Sequence, residues 1–153
     1  MAGAIVADEQ VRSSLWALDS IGLIIATSLL ALKYFRLGSD FVASGFMVFA
    51  IGEAVMLSGT AADLRGSIPA FAAGTACWSA ALCLVSGPAQ FPILVRIIGV
   101  IAAILFAITS GTIYSGHALS PISTPLPSFA YPFLVLTFAG WIWTLMRESR
   151  PAS

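Results

Sequence analysis

The sequence contains no asparagine, a single histidine, two cysteines and very little charge: only 9% of its 153 residues are Asp, Glu, Lys or Arg. Each shortage closes off an explanation. Without Asn there is no N-glycosylation acceptor. With His117 as the lone imidazole, bis-histidine haem ligation within the chain is excluded, and one His beside Gly116 supports neither haem nor zinc. Cys77 and Cys83 lie in one apolar run. On a helix, about 9 Å of rise separates them, beyond the reach of a disulfide. They also point about 120° apart, so they form no metal face. The expectation is two buried, inert thiols, with no metal and no cofactor.

The shortage of charge decides the class. A soluble domain carries roughly 25% charged residues, whereas this chain is 59% hydrophobic with a mean hydropathy of +0.97. A chain this short cannot hide so much apolar surface within its own core. Lipid must cover the remainder. Seven basic and seven acidic residues cancel, which leaves no cationic surface for nucleic acid.

Five apolar stretches reach spanning length: about 15–35, 41–61, 68–85, 93–115 and 129–146. They predict an all-α, polytopic transmembrane bundle forming one integral membrane domain over 1–153. The separators read as turns: Leu37-Gly38-Ser39-Asp40, Asp63-Leu64-Arg65-Gly66, and Ser86-Gly87-Pro88 through Pro92. Segment 116–128, with Pro121, Pro125 and Pro127, reads as an extended, polyproline-like loop. Asp63 and Arg65 flank a turn and are expected to form a surface ion pair of little weight.

The first segments argue against a cleaved leader. Asp8, Glu9 and Arg12 precede the first apolar run, while Lys33 and Arg36 follow it. Counting faces across five spans puts Lys33, Arg36, Arg96, Arg147 and Arg150 on one side and Arg12 and Arg65 on the other. Excess basic charge marks the cytoplasmic face, which gives an N-out, C-in orientation. A four-span arrangement, with the first segment on the surface, is the weaker alternative. Asp19 is placed near the outer interface, with Lys33 and Arg36 snorkelling to the other. Trp16, Trp141 and Trp143 lie close to predicted span ends, as interfacial anchors do. Trp78 sits mid-span, where its indole N–H wants a partner.

Small residues mark where helices can approach closely. Gly45, Gly52 and Gly59 recur every seven residues in the second span, and Gly99, Ala103, Ala107 and Gly111 every four in the fourth. Shorter runs are Ala72, Ala76 and Ala80 in the third span and Gly22 and Ala26 in the first. Such stripes serve either the packing of the chain's own helices or an interface with another chain.

One residue invites chemistry. Glu53 lies near the middle of the second predicted span, where an ionised carboxylate costs a few kcal/mol or more. It is protonated, paired or facing water. Read functionally, it is a proton or ion site in a small transporter or channel; read structurally, a neutral acid hydrogen-bonded to hydroxyls or to Trp78. The spans offer few other polar groups: Thr27, Ser28, Ser44, Ser79, Thr109 and Ser110. A catalytic pairing of Asp19 with Glu53 would need both at one depth, and the place of Asp19 near the interface argues against it. No HExxH motif, aspartate pair, or serine with an embedded base is present, which points away from an enzyme. The favoured reading is a small membrane protein that acts through helix contacts, as a homo-oligomer or an accessory subunit of a larger membrane complex. A proton- or cation-coupled transporter built on Glu53 is the alternative. Lipid is the expected surrounding, and a bacterial inner membrane the expected location.

Overall fold

The structure, a computed structural model, describes residues 9–59 and 66–148. For Glu9, Gln10 and Arg12 it describes the backbone alone. Asp63, Arg65 and Arg150 lie outside the described residues. The described chain forms five α-helices: α1 (Glu9–Arg36), α2 (Asp40–Gly59), α3 (Ile68–Ser86), α4 (Ile93–Tyr114) and α5 (Ala130–Glu148). Four stretches, Ser13–Arg36 and all of α2, α3 and α4, are long and apolar enough to cross a membrane. α5 matches α3 in length, but Tyr131, Pro132, Arg147 and Glu148 dilute its apolar character.

Local chemistry sets the helix ends. α1 closes on Gly38, at φ 71°. Ser39 N–H donates to the Tyr34 carbonyl at 2.9 Å and Gly38 N–H to that of Phe35 at 3.0 Å. This Schellman arrangement requires the left-handed backbone that glycine adopts without a Cβ penalty. α4 ends the same way on Gly116, at φ 93°, with His117 N–H donating to Thr112 and Gly116 N–H to Ile113. Proline stands where no N–H is missed: Pro69 in the first turn of α3 and Pro132 in that of α5. α1 begins at Glu9 rather than near Leu15, because the polar turn before Leu15 is itself helical.

Segment 116–128 differs from the extended loop its prolines suggest. It folds into successive turns. Ser120 N–H donates to Ser123 Oγ at 2.9 Å, Ser128 Oγ–H to the Ser123 carbonyl at 2.8 Å, and Phe129 N–H to the Pro125 carbonyl at 3.0 Å. The serines between the prolines supply local hydrogen-bond partners that an extended backbone would leave to water.

Each helix packs on its successor, α1 on α2 through to α4 on α5. α5 returns toward α2 ring to ring instead of backbone to backbone. Trp141 meets Phe46 edge-on at 4.9 Å and Phe138 meets Phe49 at 5.5 Å. Tyr34, Phe46, Phe91 and Trp141 fill the core at this end of the bundle. Trp141 is therefore a core residue, 4% exposed, and not an interfacial anchor: its helix face turns toward α2. Trp143 faces outward beneath the Arg147 guanidinium, 4.9 Å away. Cys83 is exposed and Cys77 half-buried, so the two thiols are free but not both buried. The outer faces of α1 (Leu18, Ile25, Leu29) and α4 (Leu94, Ile97, Ile104, Ile108) carry exposed large apolar side chains, as helices bathed in lipid do.

Candidate functional site

α2 sets the depth of Glu53. Thirteen residues separate it from Asp40 and six from Gly59, about 20 Å and about 9 Å along the axis. It thus lies toward the Gly59 end of its helix and not at the centre. The tight turn at Gly38 makes α1 run antiparallel to α2, which brings Asp19 and Ser20 to the same end of the bundle as Glu53, about one helical turn beyond it along the axis. Asp19 is in electrostatic reach of the Glu53 carboxyl. Asp19 is exposed and Glu53 only 2% so.

Three other helices complete the surroundings. Ser20 of α1 presents its hydroxyl to the carboxyl and Trp78 of α3 its indole edge, while Tyr131 of α5 lies within electrostatic reach. Trp78 stacks on Phe49 at 5.4 Å and meets Phe106 edge-on at 5.0 Å. Phe106 in turn meets Tyr131 at 5.9 Å. Glu53 Oε1 accepts no hydrogen bond, and Trp78 Nε1 donates none. A buried acceptor and a buried donor are both left short beside each other, which is rare in a settled core.

The described cations stand apart from this site. Lys33 pairs with Glu148 at 2.6 Å. Arg96 donates to the carbonyls of Ser86 at 2.8 Å and Gly87 at 2.5 Å, covering the C-terminus of α3. Four buried threonine hydroxyls are spent locally: Thr27 on the Leu23 carbonyl, Thr75 on Phe71, Thr109 on Leu105 and Thr137 on Phe133. Ser110 reaches across to the Ala72 carbonyl at 3.0 Å. Hydroxyls turned onto helix backbones line no hydrated path. His117 is exposed beside the turn that ends α4. Among the described residues no three His, Cys, Asp or Glu gather as metal ligands.

A cavity of about 670 Å³ lies between the 116–128 turns and the start of α5. Pro121, Ile122, Ser128, Tyr131, Pro132, Val135 and Leu136 line it. Tyr131 of this wall is the residue within electrostatic reach of Glu53.

The small residues divide into inward and outward groups. Gly45, Gly52 and Gly59 all face α3: a Cβ at Gly52 would lie 2.8 Å from that of Cys77, and one at Gly59 2.7 Å from that of Ala70. Gly99 lies against Ser86 and Thr137, and Ala103 is buried. Ala107 and Gly111 are exposed, and nothing approaches Gly111 within 4 Å. Gly74, packed against Met56 and the Gly52 carbonyl, and Gly140, packed against Val95, make close contacts that spacing alone did not single out. Ser20 and Tyr131 likewise had no marker in the sequence, since only the packing of α1 and α5 brings them to Glu53.

Compared with protein-family models, curated proteins and solved structures, the chain matches none.

Proposed function

We propose that this chain is a small, non-enzymatic polytopic membrane protein whose activity turns on proton binding at Glu53, as in a proton-conducting channel or transporter. The observation that carries this reading is the buried carboxyl whose Oε1 has no hydrogen bond although residues from α1, α3 and α5 converge on it. The donor-rich surroundings favour a proton over a metal cation, because an indole N–H cannot ligate a metal. A carboxyl at this depth changes charge only if something compensates, so gain and loss of its proton is a natural trigger for helix movement. Five spans with the N-terminus outside, in a bacterial inner membrane, complete the proposal. The bias of basic residues toward one face and the short connections support it.

The test is proton flux. Purified protein in liposomes holding a pH-sensitive dye is expected to dissipate an imposed pH gradient faster than empty liposomes. Glu53→Gln, equally well folded, is expected not to. Wild-type liposomes no leakier than empty ones would overturn the proposal.

Assembly with further copies, or with a larger membrane complex, is the second reading. The α2 glycines no longer speak for it, since α3 occupies them. What favours it is the outward pair Ala107 and Gly111, small residues on an otherwise bulky exposed face.

A further inference from the structure

The approach to Glu53 is as informative as the residue itself. Phe49, one turn before Glu53 on α2, stacks on Trp78, which meets Phe106, and Ser20 of α1, 8% exposed, presents its hydroxyl to the carboxyl. On the α5 side stands Tyr131. Its ring rests edge-on against Phe106, and it also forms part of the cavity wall beneath the 116–128 turns. Of the described residues within electrostatic or hydrogen-bonding reach of Glu53, it is the one that also lines the cavity.

We infer that Tyr131 is the gate between this cavity and Glu53, so that the proton reaches the carboxyl from the side of the membrane carrying segment 116–128. This rests on the Glu53 reading and adds its sidedness and its door. A phenol suits the position. Its hydroxyl both donates and accepts, so it can pass a proton between water in the cavity and the carboxyl without breaking the apolar seal its ring makes. The titratable groups facing Glu53 from the packed elements are Asp19 on α1 and Tyr131 on α5, with Ser20 and the Trp78 indole as non-titrating neighbours. Asp19, on the exposed face of α1, stands apart from the cavity lining. The other side-chain hydroxyl in the wall, that of Ser128, is already donated to the Ser123 carbonyl.

Chemical labelling tests the gate independently of transport. A carbodiimide adds across a carboxyl O–H and leaves a mass-tagged acylurea, so mass spectrometry of the full chain in sealed membrane vesicles reads access to Glu53 directly. A hydrophobic carbodiimide is expected to label Glu53 in the wild type, more at low pH than at high. A membrane-impermeant carbodiimide is expected to label it slowly from the side of segment 116–128 and severalfold faster in Tyr131→Ala, with no gain from the opposite side. Tyr131→Phe, which keeps the ring and the fold, is expected to leave labelling by both reagents as in the wild type but to slow proton flux severalfold. Faster impermeant labelling from the opposite side, an unchanged rate in Tyr131→Ala, or unchanged flux in Tyr131→Phe would overturn the gate. Absence of pH-dependent labelling by the hydrophobic reagent would instead overturn the Glu53 reading itself.

Discussion

A Cβ at Gly45 of α2 would stand 2.6 Å from the Val85 Cγ2 methyl of α3 and 3.0 Å from the Ala81 carbonyl oxygen. The same closeness recurs at Gly52 and Gly59, so the whole length of α2 lies on α3 with glycine at each point of nearest approach. In lipid, where apolar burial between helices is weakly rewarded, such contact supplies van der Waals attraction that side chains would prevent.

Gly45→Ala is therefore expected to destabilise the bundle by about 1–3 kcal/mol, the usual cost of overpacking. The Ala81 carbonyl belongs to the backbone and cannot rotate aside. Gly111→Ala meets open space and is expected to be neutral or to gain up to about 1 kcal/mol from helix propensity. Unfolding of both variants in one detergent checks this, and equal losses would contradict the packing described.

Trp78 separates ring packing from its N–H. Trp78→Phe keeps an aromatic against Phe49 and Phe106 and removes a donor that makes no hydrogen bond, so stability is expected to change little. Trp78→Ala opens the core and is expected to cost about 3–5 kcal/mol. Comparable damage from both, measured by thermal unfolding, would show that the indole N–H is bonded after all.

The basic residues differ in weight. Lys33 pairs with Glu148 at a site where both side chains are more than a third exposed, and Lys33→Ala is expected to cost at most about 1 kcal/mol, less in high salt. Arg96 holds two carbonyls at the end of α3. Arg96→Ala is expected to cost about 1.5–3 kcal/mol, because those acceptors lose a charged donor. Denaturation at two salt concentrations distinguishes the two sites.

If copies associate through α4, Ala107→Leu and Gly111→Leu are expected to reduce the intact assembly to a monomer without harming the fold, since both positions face outward. Native mass spectrometry in mild detergent reads this directly. An unchanged mass would remove α4 as the interface, and additional polypeptides in the wild-type mass would identify an accessory subunit.

Much of the fold was legible because lipid imposes simple rules. Spanning length and turn chemistry placed α2, α3 and α4 closely, and the Gly38 turn was evident from its residues. Trp141 was misread as an anchor because position near a helix end does not reveal which way a side chain faces. The 116–128 turns were missed because proline spacing conceals the serine hydrogen bonds that curl the segment.

The glycine period of α2 and the isolated acid Glu53 are properties of one helix, and the sequence determines them by itself: a seven-residue repeat keeps one face, and a carboxyl in an apolar run is costly wherever the run lies. Tertiary structure alone decided that the glycine face meets α3, that Gly111 meets nothing, and that Ser20, Trp78 and Tyr131 come within reach of Glu53. The physical reason is that lipid and protein are equally apolar to a helix surface. Periodicity therefore marks a face, and only close packing between particular helices decides what that face touches.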